Sequence, residues 1–427
     1  MEPMIALLPE AAALRSGRPS LDEHVERLCA RIDRLDPMVG AFVPEPGRYR
    51  RLAGAARTAQ RLDPAARGPL YGVAVGVKDV IRVDSLPTHA GSALPPGVLA
   101  GPQASLVGRL LAAGALIAGK TVTAEFAVRA PGPTHNPHDP AHTPGGSSSG
   151  SAAAVAAGLV PLAIGTQTVG SVIRPAAYCG VVGFRPSYGR IPVDGVIAHS
   201  PSLDTVGLFT SDLAGARLAA AVLCEGWRPS DTGRAPVCAV PVGGYLDRTE
   251  PAARAEFDRT LAGLREGGLT VRELDLPDDF EDLVRHLRVI NRFELARAHA
   301  GLFARFGALY RPETAAAIRR GHEIDPADHT AALHARDGFR RRLVALTEAE
   351  GIDLWLSPAA TGPAPRGLDS TGDAVMSLPW SYAGAPALTL PAGSLDGLPL
   401  GLQCVAMPGA DERLLDLAGP IEHQLRA

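Results

Sequence analysis

Thr143–Val155 reads TPGGSSSGSAAAV, three consecutive serines set between glycines and directly ahead of an alanine run. Taken alone, a Gly/Ser cluster is a linker or a turn. Ser149 or Ser151 would then do no more than cap a small-residue helix over Ala152–Ala157. The residues downstream argue for more. Leu159–Ile164 reads as a strand, and Gly165–Tyr178 (GTQTVGSVIRPAAY) is a turn of small residues running into a second helix start. Such a loop aims several backbone N–H groups at one point, which an oxyanion formed in acyl transfer needs.

Upstream, Tyr71–Ile81 (YGVAVGVKDVI) is a β-branched run holding a single lysine, Lys78. A lysine there either snorkels to water from the end of a strand or is desolvated. In the second case burial lowers its pKa, and the neutral amine can act as a general base near pH 7. Helical spacing at His24–Leu35, after the capping signal Ser20…Glu23, predicts an early helix. Ser105–Ala113 reads as an amphipathic helix and Ala115–Ala118 as a short strand. Strands alternating with helices predict an α/β sheet covered on both faces. Residues 251–351, rich in Ala, Arg, Glu and Leu, read as a mostly helical excursion, and strand texture returns at Leu354–Ser357 and Ala387–Pro391.

The 427 residues are 46% hydrophobic and 20% charged, enough for a large core. The formal charge of −3 offers no strong basic field, so nucleic acid is not expected as a partner. No apolar run reaches the roughly 18 residues of a membrane helix, and the N-terminus carries no signal-peptide pattern. Five dispersed cysteines without a CxxC pair argue against disulfides or a Cys-rich zinc site and fit a reducing cytoplasm.

Three motifs invite chemistry that their context resists. Gly114–Thr121 (GALIAGKT) matches the phosphate-loop pattern, but it follows a helix and is apolar enough to be a strand. His135, His138, Asp139 and His142 suggest a metal site, but Pro137 and Pro140 exclude a regular helix that would align them. Gly146–Gly150 (GSSSG) fits the nucleophile-elbow pattern around Ser148, but no strand precedes it.

The run from Pro144 to Pro192, PGGSSSGSAAAVAAGLVPLAIGTQTVGSVIRPAAYCGVVGFRPSYGRIP, resembles the signature of the amidase signature family. GVKD around Lys78, AGKTVTAEFA at Ala118–Ala127, LDTVG at Leu203–Gly207 and GLPLGLQ at Gly397–Gln403 resemble its other landmarks. The resemblance implies one domain over residues 1–427, an α/β/α sandwich around a large mixed sheet, with the signature core at 70–210. It implies a Ser–Ser–Lys triad: Lys78 as base, Ser147 after a cis Gly146–Ser147 bond as proton relay, and Ser171 as nucleophile forming an acyl-enzyme. The N–H groups of Thr168, Val169, Gly170 and Ser171 would form the oxyanion hole, supported by Ser148, Gln167 and Asp204. No metal or organic cofactor is implied.

Many members carry Asp-x-Gly-Gly-Ser where this chain has Gln167-Thr-Val-Gly-Ser171, so Val169 is expected to narrow the acyl pocket. Arg174, three residues after the nucleophile, and Ser370-Thr-Gly-Asp373 most resemble malonamidase-type members. Arg174, with Arg129 as a second candidate, is therefore expected to grip a substrate carboxylate. The other reading of Arg174 is a structural bond to loop carbonyls or Asp204. The expected activity is ammonia release from a small, carboxylate-bearing, malonamate-like amide, by a chain without partners or as a homodimer. The alternatives are a biuret- or allophanate-type hydrolase, an amide-forming acyltransferase, and the A subunit of a glutamyl-tRNA amidotransferase.

Overall fold

Two helices open the chain, α1 (Leu7–Arg15) and α2 (Leu21–Val39). Ser20 Oγ accepts the Glu23 N–H while the Glu23 carboxylate accepts the Ser20 N–H, so the capping box forms as its sequence predicts. After α3 (Arg48–Ala59) come β1 (Ala74–Lys78), α4 (Ser105–Ala112), β2 (Leu116–Thr121), α5 (Ser149–Ala156), β3 (Leu162–Gln167), α6 (Ile173–Cys179), β4 (Val182–Arg185), β5 (Thr205–Thr210) and α7 (Leu213–Leu223). The second half runs β6 (Val237–Pro241), α8 (Pro251–Glu266), β7 (Thr270–Leu274), α9 (Phe280–Ala298), α10 (Ala300–Phe306), α11 (Pro312–His322) and α12 (Pro326–Ala349). It closes with β8 (Leu354–Pro358), α13 (Leu378–Ala383), the hairpin β9 (Ala387–Leu395) and β10 (Leu398–Val405), and α14 (Asp411–Arg426). This computed structural model describes residues 2–84 and 86–426.

The ten strands form one mixed sheet in the order β2-β1-β3-β5-β4-β9-β10-β8-β6-β7. Its ends are parallel (β2-β1-β3 and β8-β6-β7) and its middle is antiparallel. Helices flank the sheet, and the fold is a single α/β domain. The run read as helical is interrupted by β7, whose exposed residues add an edge strand that periodicity did not reveal.

GALIAGKT is not a phosphate loop: Leu116–Thr121 is the wholly buried strand β2. The serine-rich run opens α5, every residue of which is buried. The helix must therefore be built from small residues; at Gly150 a Cβ would stand 2.2 Å from the Ala41 carbonyl oxygen. Among the described residues, no helix is long and apolar enough to cross a membrane.

Candidate active site

β1 and β3 are parallel neighbours, so Lys78 and Gln167 emerge at the same end of the sheet. The loop before α5 and the loop between β3 and α6 meet there. Lys78 is completely buried and does not snorkel. Its Nζ lies 2.8 Å from Ser147 Oγ, 2.9 Å from Ser148 Oγ and 2.8 Å from Thr166 Oγ1. Ser148 Oγ donates its one proton to the Thr166 carbonyl and also accepts the Thr166 N–H, so toward Lys78 it can only accept. Burial pushes the Lys78 amine well below its ordinary value; the charge of Asp204 opposes this and that of Arg174 adds to it. A neutral amine has two N–H groups, met by Ser148 and Thr166, and one lone pair, left for the Ser147 hydroxyl.

The Gly145-Gly146 pair has a steric reason at each position. Gly145 has φ +80°, and a Cβ would fall 2.9 Å from Pro175 Cα. At Gly146 a Cβ would lie 2.7 Å from Thr371 Cγ2. The Gly146–Ser147 peptide is cis. The Gly146 carbonyl accepts Arg174 Nη2 at 2.6 Å, and the same nitrogen donates to Thr371 Oγ1 at 3.1 Å. The Ser147 carbonyl accepts the Ala124 N–H. Arg174 thus clamps the loop that presents Ser147, and its Nε, buried, has no partner among the described residues. Arg129 is exposed, on the loop after Ala127.

Ser171 is 9% exposed, and its hydroxyl makes no hydrogen bond to another described residue. The Lys78–Ser147 link is formed, whereas Ser147 and Ser171 are not joined by a hydrogen bond. The amides of Thr168, Val169, Gly170 and Ser171 have no acceptor among the described residues. Those of Val172 and Ile173 both donate to Gln167 Oε1, at 2.8 and 3.0 Å. Gln167 Nε2 donates to Ser381 Oγ, and Ser381 donates to the Val169 carbonyl. Thr168 Oγ1 donates to Asp204 Oδ1 at 2.6 Å, while Asp204 Oδ2 accepts the His199 and Ser200 N–H groups. Burial raises the Asp204 carboxyl and lowers the His199 imidazole. The loop is therefore anchored by its side chains while its amides point free beside Ser171, a nest suited to a developing negative charge.

Sequence reasoning missed Thr166, Thr371 as a clamp, Ser381, and a second buried lysine. Lys120, at the end of β2, sits 2.7 Å from Asp79 Oδ1, and both groups are almost fully buried beside Lys78. Lys120 also donates to Thr88 Oγ1 at 3.0 Å. Burial lowers the Lys120 amine and Asp79 opposes that shift. A signal was available: of 42 basic residues only two, Lys78 and Lys120, are lysines.

The histidine-rich loop forms no metal centre. His135 Nδ1 pairs with the Pro140 carbonyl and His138 Nε2 with the Cys179 carbonyl, so the rings take separate partners. Among the described residues no group of three or more His, Cys, Asp or Glu side chains could hold a metal ion.

Residues 23–415 match the Amidase family. The chain belongs to that family. It is 34% identical to the A subunit of the glutamyl-tRNA(Gln) amidotransferase of Thermus thermophilus, over 95% of this chain and 94% of the relative. It is 32% identical to the protein of the same name from Symbiobacterium thermophilum, over 94% and 93%. A solved structure described as an amidase superposes with a TM-score of 0.88 at 31% identity, covering 98% of this amidase chain and all of the other.

These relatives overturn the expectation that nucleic acid plays no part. They are named for an enzyme of glutamyl-tRNA, and each is named as one subunit of it, where the sequence suggested a chain on its own or a homodimer. A net charge of −3 averages over the whole surface; it describes neither a local patch nor a partner's surface.

Proposed function

We propose that this amidase cleaves the C–N bond of a primary amide through an acyl-enzyme on Ser171 and releases ammonia. The observation that carries the reading is a fully buried lysine, its amine pushed well below the ordinary lysine range by burial, 2.8 Å from Ser147 and next to a free serine hydroxyl and four unpartnered amides. Ser171 Oγ attacks the amide carbon. Its proton passes by way of Ser147 to the Lys78 lone pair. The carbonyl oxygen, now an anion, is met by the N–H groups of Thr168, Val169, Gly170 and Ser171. Lys78 returns the proton through Ser147 to the departing nitrogen, the C–N bond breaks, and water then hydrolyses the ester.

For the substrate, the named relatives favour the ammonia-supplying member of an amidotransferase complex. An amidotransferase needs an amide nitrogen to move, and this chemistry liberates one. The malonamate-like hydrolase is the second reading. It drew on Arg174 as a carboxylate grip, and only Nε and Nη1, which take no partner among the described residues, now support it, since Nη2 is spent on Gly146 and Thr371. Five free, buried cysteines suit work in a reducing compartment such as the cytoplasm.

The test is ammonia release from glutamine, asparagine, malonamate and their neutral analogues, with Ser171→Ala as the blank. Release abolished in the blank supports the seryl mechanism; release that persists there overturns it. Preference for glutamine supports the amidotransferase reading, and preference for malonamate restores the second.

A further inference from the structure

The helical segment Arg285–Arg320 holds eight arginines against two carboxylates, Glu294 and Glu313, in a protein of net charge −3. Glu294 is turned inward, accepting from Ser200 and Ser202 and pairing with His329. Arg288 and Arg292 stand one turn apart on α9 and, with Arg285, line a groove of about 450 Å³ that ends at Ile324. The acids at its other end are taken, Asp282 by Arg285 and Glu281 by Arg248. α11 packs so closely here that a Cβ on Gly321 would lie 2.0 Å from the Arg292 carbonyl oxygen, which brings Arg320 to the same place. The charges of Arg320, Arg288 and Arg129 all act on Arg292, and that of Arg129 also reaches Arg174 at the catalytic loop. Among the described residues, none of Arg129, Arg288, Arg292 and Arg320 forms an ion pair.

So many unneutralised guanidinium groups repel one another and suit an anionic partner. The span from Arg285 to Arg292 is about 10 Å along the helix, more than one carboxylate requires. On the same helices Arg297, Arg305 and Arg319 lie over the half-buried rings of Phe293, Phe306 and Phe303, and the planar guanidinium groups are surfaces on which bases stack.

We propose that this face of α9 to α11 is a docking surface for the phosphodiester backbone of an RNA. It extends the amidotransferase reading without resting on its chemistry. Ser171→Ala should end ammonia release and leave RNA binding intact, so the two readings fail separately.

The experiment is fluorescence-anisotropy titration of the full chain with labelled, unfractionated transfer RNA across a series of salt concentrations. The test variant is Arg288→Gln/Arg292→Gln/Arg320→Gln. The control, Arg254→Gln/Arg259→Gln/Arg265→Gln, removes the same charge from α8. Thermal melts confirm that both fold. The expected result is wild-type binding that weakens with salt, a log–log slope reduced by about 2–3 in the test variant, and a control like wild type. No binding by the wild type at low salt overturns the proposal, as does equal loss in both variants. Competition by polyglutamate as effective as that by transfer RNA would give the face to an acidic protein and overturn it too.

Discussion

At the scale of single residues, the site turns on why a lysine stands where every other cation but one is arginine. A guanidinium cannot be deprotonated under any condition the fold survives, whereas a buried ammonium gives up its proton. Lys78→Arg should therefore fail to replace the base although arginine too is a long basic side chain. Ammonia release should fall by about 10²–10⁴ in Lys78→Met and Lys78→Arg alike, the usual worth of general-base catalysis. A Lys78→Arg enzyme with near-normal kcat would remove lysine from the mechanism. The acid limb of wild-type kcat/KM should lie well below the ordinary lysine range, because burial depresses the Lys78 amine. Activity should rise as pH climbs through that lowered value, and a profile rising only near pH 10 would refute a neutral Lys78. The catalytic candidates were legible as residues because GVKD, GGSSSGS and the turn at Ser171 are contiguous motifs. The roles of Thr166 and Thr371 were not, because their contacts cross 88 and 197 residues of chain.

At the scale of elements, the loop between β3 and α6 shows how a departure from the family pattern is accommodated. Gln167 Oε1 accepts from Val172 and Ile173, orphan donors at the start of a helix. Gln167→Leu leaves both without an acceptor in a buried site and should cost about 1–3 kcal/mol per donor, read from the denaturant midpoint. Gln167→Glu keeps the acceptor and should lose less stability and less kcat than Gln167→Leu. Equal losses would show that the side chain fills space and does not cap. Between β1 and β2, Lys120→Met strands the buried Asp79 carboxylate and should destabilise by about 3–5 kcal/mol. Adding Asp79→Leu should restore much of that stability, and no recovery would show that the pair is not the reason for the loss. Strands β1, β2 and β3 and helices α2, α4 and α5 could be read from periodicity and capping. β7 could not, since an edge strand with exposed residues lacks an apolar face to announce it.

At the scale of the molecule, Lys78 couples the chemistry to stability. The unfolded chain binds a proton there below about pH 10.4, while the folded chain does not until its lower pKa is reached. Between the two values the unfolded state holds more protons, so stability rises with pH and falls as pH drops. Relative to wild type, Lys78→Met should gain stability progressively from pH 10 down to pH 7 in thermal melts. A constant difference across that range would mean that Lys78 is charged in the folded protein. Whole-chain composition was least informative on partners: the overall charge is weakly acidic, yet the arginines of α9 to α11 collect on one region.

The family, the α/β alternation and the residues able to do the chemistry are written in the order of amino acids alone, because they reside in contiguous motifs and local periodicity. Folding had to be seen to learn what Arg174 touches, that Lys120 meets Asp79, and that Arg129 joins the arginines of α9 and α11. Those pairings depend on which strands become neighbours and how deeply each group is buried. Both are set by packing the whole sheet, and no local stretch of chain records them.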